Sequence, residues 1–157
     1  FKGAPDMYGQ GIATLALVEG YGMTQDPALK GPAQMAIDYI QRAQAKNGSW
    51  GYQPGIVGDT SIVGWQVQAL HAAQLGGLEV DEKVIKKAVE FLNHAGGGGQ
   101  YKPIYGYQNS AAAAHATNRT AIGLLCRYYI DGWRREHPGF SEGTLGLLKR
   151  TPLPTFT

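Results

Sequence analysis

Apolar positions along the chain follow a helical period in most segments, and they do so in two distinct ways. After Asp81, the residues Val84, Ile85, Ala88, Phe91, Leu92 and Ala95 form one stripe, while Glu82, Lys83, Lys86, Lys87, Glu90 and Asn93 fill the other face. This spacing predicts a one-sided amphipathic helix started by Asp81, whose carboxylate can accept from the free N–H groups of a first turn. The segment from Asp26 follows the same plan. Asp26 can cap, Pro27 suits the first helical position, and Ala36, Tyr39, Ile40 and Ala43 supply the stripe. Three other segments, 8–21, 61–75 and 117–130, are apolar or small on nearly every face and predict helices buried all round.

The two kinds of segment alternate and recur. Leu17, Leu70 and Leu125 close three similar five-residue runs in the buried segments, at separations of 53 and 55 residues. The amphipathic runs 36–40 and 88–92 repeat with a shift of 52. Hairpins of one buried and one half-exposed helix, stacked side by side, give two layers and an all-α solenoid or barrel. Six helices in three hairpins are expected, with 8–21, 61–75 and 117–130 as the buried row. Glycines and prolines gather around 47–58, 76–77, 96–106 and 137–146, which read as loops. Residues 1–150 read as one domain and 151–157 as an extended tail, because each proline there disfavours helix at itself and at the residue before it.

Composition narrows the partners. With 157 residues, 43% hydrophobic and 17% charged, the chain can bury one sizeable core and is not a disordered tail. A net charge of +2 without like-charge runs leaves no electrostatic footprint for nucleic acid or an anionic membrane. No run of eighteen apolar residues occurs, so no membrane span is expected. The chain begins at Phe1 without a charged leader, which reads as a piece cut from something longer, with no intact signal peptide. Cys126 is the single cysteine, so it forms no internal disulfide and leaves the compartment unassigned.

After the second helix comes Gln44-Ala45-Lys46-Asn47-Gly48-Ser49-Trp50-Gly51-Tyr52, which resembles the Gln…Gly-x-Trp repeat motif of squalene and terpenoid cyclases. In that family the glutamine bonds backbone groups at a helix end and the tryptophan ring packs beneath it. A second, degraded copy stands at Gly99-Gln100-Tyr101, with Tyr101 in the tryptophan place. The segment Asp59-Thr60-Ser61-Ile62-Val63-Gly64-Trp65-Gln66 resembles the start of an inner helix in protein prenyltransferase β subunits. Together the likenesses cover residues 8 to 130 and imply a prenyltransferase and squalene-oxidase repeat protein. The implied architecture is an α/α toroid-like stack of about three hairpins, an incomplete barrel.

The chemistries of these families are then tested residue by residue. The Asp-x-Asp-Asp acid of class II cyclases is missing, and Glu79-Val80-Asp81-Glu82 reads as ordinary helix-start acids. No Asp-Asp-x-x-Asp magnesium motif is present. The resemblance implies a prenyltransferase zinc held by Asp, Cys and His. Asp59 fits the first ligand, Ser61 replaces the cysteine, and His115 stands one residue out of register, so no metal or cofactor is expected. Asp59 and His115 remain the catalytic candidates, against a capping and a surface reading. His71, His94 and His137 share no ligand spacing, Gly96–Gly99 reads as a flexible loop, and Cys126 as a buried small hydrophobe.

What remains is an aromatic set at the loop ends: Trp50, Tyr52, Trp65, Tyr101, Tyr105, Tyr107 and Trp133. Such rings can line an apolar cavity or serve the repeat motif. Arg119 and Arg127 sit in an otherwise apolar helix and need partners, either an acidic ligand or Asp59 or Glu19. The favoured function is a non-catalytic binding or scaffold module of a larger protein. The alternative is part of a prenyl- or terpenoid-processing enzyme with an aromatic-lined cavity for an apolar small molecule. A carbohydrate-active barrel would need two facing carboxylates, and no convincing pair is present. The expected partners are further hairpins of the parent protein or a second copy, because the first buried segment carries only Glu19 as a charge and so lacks a polar cap.

Overall fold

The computed structural model of the chain describes residues 6–110 and 117–151. Its helices are α1 (Met7–Thr24), α2 (Pro27–Arg42), α3 (Thr60–Leu75), α4 (Glu82–Ala95), α5 (Thr117–Ile130) and α6 (Pro138–Arg150). Aspartates start four of them. Asp6 accepts from the Tyr8 N–H at 3.0 Å, Asp26 from Ala28 at 2.9 Å, Asp59 from Ser61 at 2.8 Å and Asp81 from Lys83 at 2.8 Å. Each carboxylate satisfies a first-turn donor that has no partner within the helix. His137 does the same for α6 through Nδ1, with Pro138 at the first position.

The helices form two rows. In the inner row α1 packs on α3 and α3 on α5, while α2 lies against α1, α4 against α3 and α5, and α6 against α5. The alternation of buried and amphipathic segments thus becomes a stack of three hairpins, and the described residues are all-α apart from one short strand pair.

Only α3 is buried all round, and this corrects the expectation for its two neighbours. Ile62, Val63, Val67, Ala69, Leu70 and Ala73 of α3 are fully buried, covering several faces. In α1 the buried residues are Met7, Gly11, Thr14, Val18 and Tyr21, a single stripe, while Ile12 is 46% and Met23 81% exposed. In α5, Leu125 and Tyr128 are 38% and 40% exposed. A helix is covered on both flanks only if it has an inner neighbour on each side. Among the described residues, α1 and α5 each have one.

Two loop expectations are also corrected. The stretch 137–146 lies largely in α6, because its glycines permit close approach rather than a turn. A Cβ at Gly139 would stand 2.7 Å from Cβ of Tyr101, and one at Gly143 2.8 Å from Cδ1 of Leu124. Gly96–Gly97 is a strand, β1, paired antiparallel with β2 (Ile104–Tyr105), rather than an unpaired loop. Tyr105 drives this pairing: it is fully buried against α5, and its backbone N–H donates to Thr120 Oγ1 at 3.1 Å. Of the tail at 151–157, residues 152–157 lie outside the described residues.

The segment after α2 ties the outer row together. Gln44 Nε2 donates to the Gly48 carbonyl at 3.1 Å and to the Val84 carbonyl of α4 at 2.9 Å. The Trp50 ring is fully buried and its Nε1–H donates to the Ile40 carbonyl at 2.8 Å. Gly48 holds φ +85, and a Cβ there would stand 1.9 Å from the Lys87 carbonyl oxygen. Further up the outer row, Gln34 and Gln41 accept from the backbone N–H groups of Glu79 and Asp81 at 2.8 and 2.7 Å. Tyr101 does not reproduce the Trp50 arrangement. It is 38% exposed and meets His137 edge-on at 5.7 Å between centroids.

One inner junction titrates. His71 of α3 stacks on Tyr129 of α5 at 4.5 Å, and burial, then the Arg134 charge, lowers its pKa below 6.5. The unfolded chain therefore binds more protons than the folded one between that lowered value and 6.5. Stability should be fully present above pH 6.5 and fall as the pH drops through the lowered folded value. Thermal melts from pH 7.5 downward should show this loss, and His71→Gln should remove that part of the slope.

Candidate functional site

The residues with the most chemistry meet at the N-terminal rim of the inner row. Asp59 precedes α3 and is 2% exposed. Its Oδ1 accepts from the N–H of Ser61 at 2.8 Å, from that of Ile62 at 3.4 Å and from the Ser61 hydroxyl. Tyr107 is brought alongside because the Thr60 N–H donates to its carbonyl at 2.9 Å and the Thr60 hydroxyl to the Gly106 carbonyl at 2.8 Å. The Tyr107 hydroxyl bonds the Asp59 carboxylate, which holds its proton well above the usual phenol range, and it shares a further hydrogen bond with Tyr52. Tyr52 in turn meets Tyr8 of α1 at 5.8 Å between ring centroids.

Arg119, in the first turn of α5, completes this rim. Its guanidinium carbon lies 5.9 Å from the centre of the Tyr107 ring. Its Nε is buried and has no hydrogen-bond partner among the described residues, a property shared only with Oε1 of Gln66. Gln66 is fully buried, and its Nε2 donates to the Met7 carbonyl at 2.6 Å across the α1–α3 junction. Tyr52 and Tyr107 are 56% and 41% exposed, so the rim presents phenol rings to solvent beside half-buried Arg119. His115 lies outside the described residues.

The remaining aromatic candidates do not join this rim. Trp50 and Tyr105 are fully buried core residues. Trp65 is half-buried in the α1–α3 junction, where its Cβ would stand 2.9 Å from a Cβ at Gly11. Tyr101 and Trp133 lie at α6, where Trp133 stacks on His137 at 4.0 Å.

Arg127 is also settled inside the fold, with partners that differ from the expected Asp59 or Glu19. Its Nε donates to the Tyr105 hydroxyl at 2.9 Å, Nη1 to Asp131 at 2.7 Å and Nη2 to Asn93 at 2.8 Å. The guanidinium lies 5.0 Å over the Trp133 ring. Sequence reasoning missed Asn93 and Asp131 as its partners, although Asp131 stands four residues on, the spacing at which helical side chains meet. Cys126 is buried as expected, and burial pushes its thiol up to about 12.

No group of three His, Cys, Asp or Glu residues that could hold a metal ion occurs among the described residues. No described helix is long and apolar enough to cross a membrane. A groove of about 460 Å³ lined by Glu82, Ile85, Val89 and Ile130 lies away from the rim, and another runs beside the start of α5, lined by Thr117, Asn118, Ala121 and Leu148. No family model, curated protein or solved structure matches the chain.

Proposed function

We propose that the chain is a repeat module of the α/α toroid kind, an incomplete barrel that serves as a non-catalytic binding or scaffold part of a larger protein. The observation that carries this reading is the state of Asp59. Its carboxylate is buried and already engaged by two backbone N–H groups, the Ser61 hydroxyl and the Tyr107 hydroxyl. An acid used this way caps α3 and anchors the 106–107 loop, and little of it is free for a metal or a proton transfer. The uncovered faces of α1 and α5 supply apolar surface for contacts with further hairpins.

The second reading, part of a prenyl- or terpenoid-processing enzyme, is favoured by one feature. Tyr8, Tyr52 and Tyr107 cluster beside Arg119, whose Nε is unpaired among the described residues.

Asp59→Ala separates the two. As a cap, Asp59 contributes about 1–2 kcal/mol, so the variant should melt several degrees lower while zinc content and turnover of long-chain prenyl diphosphates stay at background. One zinc per chain in the wild type, lost on Asp59→Ala, would sink the scaffold reading. So would prenyl diphosphate turnover that disappears with the same substitution.

A further inference from the structure

We infer, building on the repeat-module reading, that the rim formed by Tyr52, Tyr107 and Arg119 is a binding site for a sugar acid, a pyranose that carries hydroxyls and a carboxylate. The direction of the hydrogen bonds along the tyrosines sets the first half of this chemistry. The Asp59 carboxylate only accepts, so the single proton of the Tyr107 hydroxyl is donated to it. Tyr107 therefore accepts in its other bond, and Tyr52 donates there. Both protons are committed inward. The Tyr52 oxygen, on a residue 56% exposed, is left with lone pairs and no free proton. It needs a donor from a ligand, which a sugar hydroxyl supplies. The Tyr52 ring is backed by Tyr8 at 5.8 Å between centroids, and the C–H face of a pyranose packs on such a ring while its hydroxyls stay free to bond.

Arg119 sets the second half. It shares α5 with Arg127, whose guanidinium is saturated by Tyr105, Asp131 and Asn93. Arg119 has no such partner: the ion pairs among the described residues are Lys86–Glu82 and Arg127–Asp131. Its guanidinium carbon lies 5.9 Å from the centre of the Tyr107 ring, and its buried Nε makes no hydrogen bond among the described residues. A half-buried guanidinium without a counter-charge is costly, and a planar carboxylate offsets that cost with two parallel hydrogen bonds. Asp59 does not serve, because its oxygens are already engaged at the start of α3. A prenyl diphosphate would satisfy the cation, but it has no hydroxyl to donate to the Tyr52 oxygen. Cleavage of a glycosidic bond would need two free carboxylates, so an engaged Asp59 leaves a site that binds the sugar and does not cut it.

Calorimetric titration of the chain with oligomers of galacturonic, glucuronic and mannuronic acid tests this, with the methyl esters of the same oligomers as controls that remove only the charge. One acid series should bind saturably, and its ester about 10–100-fold more weakly, the range for losing hydrogen bonds to a charged group. Arg119→Gln should weaken the acid by the same range and leave the ester unaffected, while Arg119→Lys should recover part of the loss. Tyr52→Phe keeps the ring and removes the acceptor, so it should weaken acid and ester alike by about 2–10-fold. Should Arg119→Gln fail to fold, the comparison of acid with ester on the wild type still decides. Absence of saturable binding by all three acids would overturn the sugar-acid site, and so would esters that bind as tightly as the acids. Binding unchanged in Tyr52→Phe would overturn it as well, as would farnesyl diphosphate displacing the acid at lower concentration. The scaffold reading stands or falls separately, on zinc content and turnover in Asp59→Ala.

Discussion

Trp50→Ala should cost about 3–5 kcal/mol, the range for emptying a buried indole site. The ring is fully buried beneath the end of α2, so its removal leaves a cavity that the surrounding backbone can fill only in part. It also strips the Ile40 carbonyl of the Nε1–H it accepts at 2.8 Å. Domains of this size hold about 5–15 kcal/mol in all, so most of the margin would go. Urea unfolding checks this through the transition midpoint. Trp50→Phe separates the two contributions: it keeps much of the ring and loses the hydrogen bond, and should cost about 1–3 kcal/mol. A midpoint unchanged in Trp50→Ala would mean that the outer row is held elsewhere.

Arg127→Ala should be comparably damaging, again about 3–5 kcal/mol, because it breaks a buried charged network from one side. The arginine is 2% exposed and joins four parts of the chain: Tyr105 of β2, Asn93 of α4, Asp131 beyond α5, and Trp133 beneath its guanidinium plane. Its loss leaves the hydroxyl of fully buried Tyr105 without the donor it accepts from, whereas exposed Asn93 can turn to water. Arg127→Lys is the informative control. An ammonium keeps the charge near Asp131 but cannot span the three acceptors, so the lysine variant should recover only part of the stability. Equal stability of Arg127→Lys and the wild type would show that charge alone matters here.

The rim was partly legible beforehand. Asp59, Tyr52, Tyr107 and Arg119 were all singled out by residue type and position, and the structure brings them together. Tyr8 was not, because its only signal was membership of an apolar segment. Trp50 and Tyr105 fall in the same loop-end aromatic set as Tyr52 and Tyr107, since nothing in a sequence separates a ring that points inward from one that points out. Their burial depends on what the loops 43–59 and 96–107 fold against. Arg127 shows the same limit in charge pairing: a lone cation in an apolar helix signals a partner, and only packing selects which acceptor reaches it.

Local chemistry sufficed for the helices and their starts. The 3.6-residue period and the capping acids Asp26 and Asp81 act over one or two turns, so they can be read without knowing the fold. The recurrence of buried and amphipathic segments likewise determined the all-α class and the stacking of hairpins. Tertiary structure alone decided how deeply each inner helix is buried. α1 and α3 are similarly apolar, yet only α3 lies between two inner neighbours, and burial is a property of neighbours rather than of composition alone. It also decided the roles of the glycines. Gly139 and Gly143 read as turn formers but sit inside α6, because glycine permits both a turn and a close approach, and what lies across from it in space determines which is used.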